Sequence, residues 1–106
     1  MIRYFSQTDL KQVSRLESEN FRNPWMIQQF QSYCIGESDS MSYVYKKSSK
    51  VIGYLMTQVI EDEIHLHNIS VSQRYQNNKI GFNLMNHLIS EGSLKDKRKI
   101  SLEVNE

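Results

Sequence analysis

The stretch EIHLHNISV, residues 63–71, sets the tightest limit on what this chain can fold into. It reads as a β-strand, yet its apolar residues change parity. Ile64 and Leu66 occupy one face of a period-two pattern, Ile69 and Val71 the other. Two arrangements satisfy such a break. A β-bulge between His67 and Asn68 inserts one residue and returns all four side chains to one face; alternatively, the strand is buried on both faces and needs no bulge. The pattern favours the bulge. The strand runs into SQRYQNNK, and then Ile80, Leu84, Met85, Leu88 and Ile89 recur at helical spacing over residues 80–91. A polar connection around Gly92 leads to KISLEVNE, with Ile100, Leu102 and Val104 on one face and Ser101, Glu103 and Asn105 on the other. Strand, helix and strand at this spacing predict a right-handed parallel crossover.

The first half of the chain is read in the same way. Residues 2–5 form a short strand. Over residues 8–20, Leu10, Val13 and Leu16 predict a helix, with Thr8 or Asp9 as its cap. Asn23 and Pro24 suit the cap and first position of a second helix carrying Trp25 and Phe30 inward. CIGESDS is a loop by composition. MSYVYKK and KVIGYLMTQVI, separated by Ser48 and Ser49, read as an antiparallel hairpin, followed by a turn at Glu61 and Asp62. The class is α/β, or α+β with a mixed sheet. The 106 residues suffice for one small domain, residues 1–106, without a large stability margin.

Composition excludes several function classes. A formal charge of +1 argues against a dedicated nucleic-acid binder. No apolar stretch has the length of a bilayer span, and MIRYFSQTDL does not have the pattern of a signal peptide. The single Cys34 excludes an internal disulfide and fits a reducing compartment, so the expected location is cytoplasmic. His65 and His67 share a strand face, but the sequence places no third ligand beside them, and Cys34 lies in a distant loop. A surface histidine pair is the preferred reading, with no metal expected. Met56 and Met85 read as core filler.

The turn before the second amphipathic run carries the functional signal. The first turn of a helix exposes N–H groups with no intrahelical partner, and with the positive end of the dipole they attract an anion such as a pyrophosphate. Gly81 permits close approach, Asn77 and Asn78 tolerate unusual backbone angles, and Lys79 adds a cation. An ordinary asparagine-capped helix is the alternative.

ISVSQRYQNNKIGFNLMNHLI resembles the acyl-CoA-binding motif of the GNAT superfamily of N-acetyltransferases, Gln/Arg-x-x-Gly-x-Gly/Ala after a bulged strand and opening a helix. Gln76, Ile80 and Gly81 are in register; Lys79 stands at the first glycine position, where its Cβ adds bulk beside the phosphates. NPW, TQVIEDEIHLHNISV and LEV, in this order and spacing, resemble the ribosomal-protein-alanine N-acetyltransferase branch, and the similarity spans essentially the whole chain. The resemblance implies a mixed, mainly antiparallel sheet with one parallel β-α-β crossover. It also implies acetyl-CoA as co-substrate, and a protein N terminus, of a ribosomal protein among others, as acceptor. Its coenzyme contacts would come from the backbone around Ile69, Ser70 and Val71 and from Gln76, Asn77, Asn78, Lys79, Ile80, Gly81 and Phe82. An N-terminal amine is largely protonated at neutral pH and needs a base before attack. The glutamate of LEV, Glu103, takes that role by resemblance, facing the cleft between the two parallel strands.

The family pattern continues beyond a fifth strand, with a helix bearing a tyrosine general acid and two further strands. The expectation is therefore a domain C-terminally incomplete after its fifth strand. An unpaired last strand would favour self-association. A non-catalytic remnant that binds acyl-CoA weakly, or acts as an association module, is the second reading beside the enzyme.

Overall fold

The computed structural model describes residues 1–36 and 40–103. Residues 37–39 of the expected loop CIGESDS and the faces assigned to Val104 and Asn105 lie outside these residues. In chain order come β1 (Ile2–Tyr4), a 3-10 turn (Gln7–Asp9), α1 (Leu10–Asn20), α2 (Ile27–Gln31), β2 (Tyr43–Lys47) and β3 (Lys50–Ile60). They are followed by β4 (Glu63–Val71), a second 3-10 turn (Gln73–Tyr75), α3 (Ile80–Leu94) and β5 (Lys99–Leu102). The strands form one sheet in the order β1-β2-β3-β4-β5; the first three pairings are antiparallel and β4–β5 is parallel. The expected mixed sheet with one parallel crossover is the sheet observed. No helix among the described residues is long and apolar enough to cross a membrane.

Two cores face away from this sheet. On one side α1 and α2 bury Val13, Leu16 and Phe30 against Val44, Tyr54 and Met56. On the other, α3 buries Ile80, Leu84 and Leu88 against Tyr43, Ile52, Ile64 and Leu66. The parity break in β4 is a bulge. Met56 pairs with Asn68 and Thr57 with Leu66, leaving His67 as the extra residue. Ile64, Leu66, Ile69 and Val71 consequently all pack on the α3 side, while Asn68 and Ser70 turn toward α1.

A buried carboxylate holds the bulge. Glu17 of α1 is 2% exposed and accepts from three donors: Asn68 Nδ2 and the Trp25 N–H, each at 2.8 Å, and the Tyr54 hydroxyl. Burial, reinforced by the adjoining carboxylate, pushes the Tyr54 phenol far up and keeps it a donor. These contacts tie α1, the segment before α2, β3 and β4 together at one point.

Several local expectations are corrected. Asp9 precedes α1 but makes no side-chain cap; its buried carboxylate turns back to the Ser6 N–H at 3.0 Å and to Arg3 Nη2 at 2.8 Å. The second helix begins only at Ile27, so Asn23 and Pro24 lie before it. The Trp25 N–H is drawn to Glu17, and the Met26 N–H is taken by Gln29 Oε1 at 2.7 Å, which holds these residues out of the helix. Phe30 is buried as expected, and Trp25 is half-buried against it. In α3 the inward stripe is Ile80, Leu84, Leu88 and Gly92, whereas Ile89 is exposed. Gly92 belongs to the helix rather than to a polar connection: a Cβ there would come within 2.9 Å of Ile64 Cδ1, so its absence lets the helix end lie on β4. Gly53 does the same under the start of α3, where a Cβ would meet Ile80 Cγ2 at 3.0 Å. In β5, Ile100 packs inward but Leu102 is largely exposed.

Replacing Glu17 by glutamine keeps its shape but leaves one acceptor oxygen for three donors. Glu17→Gln is expected to cost about 1–3 kcal/mol in urea unfolding, the range for orphaning a buried donor. An unchanged midpoint would show that the three bonds contribute nothing.

Candidate active site

β5 accompanies β4 only from Glu63 to Leu66, and the Glu103 N–H closes the pairing on the Leu66 carbonyl at 2.8 Å. Beyond that bond, among the described residues, the outer edge of β4 from the bulge to Val71 carries no strand. This uncovered stretch, the cleft beside β5, begins where β4 is bulged. Strand alternation turns the peptide groups of Ile69 and Val71 toward this edge, since the Ser72 N–H points inward to Ile52 O at 2.8 Å. The Val71 carbonyl is already engaged, by Asn20 Nδ2 at 2.8 Å and Gln76 Nε2 at 3.2 Å.

The chain then turns through Gln73–Tyr75 into α3. Asn77 and Lys79 both adopt left-handed backbone, with φ of 68° and 63°. Left-handed backbone is a conformation glycine enters freely and other residues only at a cost. Lys79 caps α3, and the first bond of the helical ladder runs from the Asn83 N–H to Lys79 O at 2.9 Å. The N–H groups of Ile80, Gly81 and Phe82 precede that ladder and point out of the helix start. A Cβ on Gly81 would touch only Val71 Cγ2, at an ordinary 3.7 Å. Packing within the chain therefore does not demand glycine there, and the space above it belongs to the groove.

That groove consists of two adjoining recesses of about 360 and 390 Å³ that share Val71, Gln76 and Gly81. The first adds Asn77, Lys79, Ile80 and Phe82, the second Ile69 and Ser70. Nine of the ten expected coenzyme residues line it; Asn78 lines a neighbouring recess beyond Tyr75 instead. Asn20, Phe21, Gln73 and Tyr75 line the groove as well, and the sequence reading missed them. The dipeptide at the end of α1 shows no motif, and only the packing of α1 on β4 brings it there.

A further recess of about 390 Å³ meets the groove at Phe21 and is lined by Glu17, Trp25, His67 and Asn68 among others. The two histidines have separate partners. His67 Nδ1 is 2.9 Å from the Tyr33 hydroxyl, whereas His65 Nδ1 bonds Glu103 and lies 3.1 Å from Ser101 Oγ. Glu103 lines none of these three recesses; its carboxylate rests on His65, at an exposed position beside the cleft. The hydrogen bond with His65 holds the Glu103 carboxyl below the usual carboxylate range, against the opposing effect of desolvation.

Residues 10–106 match the GNAT family of acetyltransferases, and the chain belongs to that family. Acetyl-CoA is the co-substrate of the family. The Escherichia coli K12 ribosomal protein bS18-alanine N-acetyltransferase is 32% identical over 97 residues, 92% of this chain and 64% of the relative. A Bacillus subtilis protein assigned to the same activity is 24% identical over 103 residues, 97% of this chain and 68% of its own length. The chain therefore spans about two thirds of these relatives. In structure, the E. coli ribosomal-protein-S18-alanine N-acetyltransferase superposes with a TM-score of 0.89 at 27% identity, over 96% of this chain and 64% of that one. An aminoglycoside 6′-N-acetyltransferase complexed with coenzyme A shares the fold, with a TM-score of 0.82 at 16% identity, over 96% of this chain and 60% of that one.

Two measurements test this geometry. Lys79→Gly removes the Cβ from a left-handed residue and is expected to stabilise the fold by about 1 kcal/mol, a rise of roughly 4–8 °C in Tm; a lower Tm would contradict the backbone assignment. His65→Ala should return the Glu103 carboxyl toward its ordinary titration range, followed by side-chain carbon NMR. Because Glu103 is depressed in the folded state, its pairing favours folding above the ordinary carboxylate pKa and fades as pH falls through the lowered value. An unmoved Glu103 titration would remove His65 as the cause.

Proposed function

We propose that this chain binds acetyl-CoA in the groove between β4 and α3 and belongs to an N-acetyltransferase acting on the N-terminal amine of a protein, a ribosomal protein being the acceptor class its relatives' names suggest. The observation that carries the reading is the continuity of the groove: it runs from the uncovered edge of β4 to the exposed amides of the α3 start. An extended ligand arm with an anionic end fits such a shape. The residues present suit the coenzyme. Gly81 leaves room, and the Ile80, Gly81 and Phe82 amides face an anion at the helix's positive end. The outward peptide groups of Ile69 and the N–H of Val71 offer an extended arm the hydrogen bonds of an added strand.

Acetyl-CoA would supply an acetyl group already activated as a thioester. The acceptor amine must be neutral to attack, and Glu103 is proposed to take its proton, directly or through water, since its carboxylate stays ionised at neutral pH. The recess lined by Trp25, His67 and Asn68 adjoins the groove and is proposed to receive the acceptor. A second reading, a coenzyme-binding or association module without turnover, draws on the same exposed edge and on the outward Phe82, Ile89 and Leu102. Self-association in micromolar sedimentation, with no acetylation of N-terminal peptides, would favour it.

The coenzyme reading predicts tighter calorimetric binding of coenzyme A than of pantetheine, and weaker binding of coenzyme A by Gly81→Val, whose branched side chain fills the groove. Equal affinities for coenzyme A and pantetheine would refute the phosphate cradle. Where the chain acetylates peptides, Glu103→Gln should lower the rate about 10²–10⁴-fold with little change in coenzyme affinity. A wild-type rate in that variant would exclude Glu103 as the base.

A further inference from the structure

Beyond Tyr75 the groove adjoins a larger recess of about 530 Å³, reached by Asn78, whose remaining polar lining has no role above. Lys46, Lys47 and Arg74 surround it together with Tyr75 and Asn78, and no carboxylate is in its lining. In a chain whose formal charge is +1, this is a marked local excess. The cations come from two separate elements. Lys46 and Lys47 end β2, and Arg74 belongs to the 3-10 turn that follows β4. Tyr75 gathers them: Lys47 Nζ is 5.2 Å and Arg74 Cζ 5.8 Å from its ring centroid. Such contacts hold both charges at the mouth of the recess at small cost in side-chain freedom. Lys46 leans on Asp9 at 3.5 Å, whereas Lys47 and Arg74 make no ion pair among the described residues. Two cations without counter-charges among the described residues, gathered around one recess, call for an anion.

The recess shares Tyr75 and Ile80 with the phosphate end of the coenzyme groove. An anion held here would thus adjoin a pyrophosphate held by the α3 amides. We propose that Lys47 and Arg74, placed by Tyr75, form a subsite for the ribose 3′-phosphate of coenzyme A. The proposal rests on the coenzyme reading given above and adds a discrimination that reading does not require: preference for the 3′-phosphorylated nucleotide over its 3′-dephospho form. The hairpin end of β2 thereby acquires a role in ligand selection, and charge rather than shape makes the choice.

Calorimetric titration of the chain with coenzyme A and with 3′-dephospho-coenzyme A tests this. The expected result is roughly fivefold tighter binding of coenzyme A, in the range that two partly exposed charge contacts provide, shrinking as salt is raised. The double variant Lys47→Gln, Arg74→Gln changes two exposed side chains, and in it the two affinities should converge, chiefly through weaker binding of coenzyme A. Equal affinities in the wild-type chain, or a preference that survives in the variant, would overturn the subsite and leave the coenzyme groove standing. Failure of both nucleotides to bind would instead overturn the coenzyme reading, and the subsite with it.

Discussion

The carboxylate of Glu17 is the contact on which the rest of the site depends. A buried carboxylate is tolerated only when its oxygens are satisfied, and here the three donors come from three different places in the chain: β3, β4 and the segment before α2. Satisfying Glu17 therefore fixes where Asn68 points. Asn68 can reach α1 only if β4 takes an extra residue at His67. The same bulge keeps Ile69 and Val71 packed on α3 while their peptide groups face the open edge. One electrostatic requirement in the core thus becomes the geometry of a groove on the surface.

The other end of the groove is set by the approach of α3. Gly53 in β3 and Gly92 in the helix itself remove the side chains that would hold it off the sheet. The helix start is then brought beside Val71, where its free amides and the edge of β4 serve one continuous recess. Lys79 is at odds with this arrangement, since it occupies left-handed backbone that asparagine, as at Asn77, tolerates better than lysine. The turn shape is imposed from outside, by β4 on one side and the docked helix on the other, and the local sequence yields to it.

Much of this was legible in the sequence because the signals were periodic. The parity shift between Leu66 and Ile69 located the bulge, and the serine pair located the hairpin turn, where Ser48 and Ser49 both take positive φ. The helical spacing found α3 and four of its inward-facing positions, Ile80, Leu84, Met85 and Leu88. What was misread depended on contacts distant in sequence. Asn23-Pro24 has the chemistry of a helix start, but Glu17 claims the Trp25 N–H and delays α2. Ile89 is apolar yet exposed, because Gly92 rather than Ile89 continues the inward stripe. Asn20 and Phe21 enter the groove only because α1 crosses β4 there, and nothing local marks them. Glu103 is expected to face the cleft, and its carboxylate stands beside it, bonded to His65 on the neighbouring strand.

If the bulged edge of β4 and the start of α3 hold coenzyme A in one groove, both must respond to it together. Amide chemical-shift mapping during titration with coenzyme A tests it most directly, since it reports each backbone N–H separately. The account predicts that the largest shifts fall on Ile69 and Val71 and on Ile80, Gly81 and Phe82, moving together along one binding isotherm. Shifts confined to other parts of the sheet, or movement of the α3 amides without the β4 edge, would contradict it.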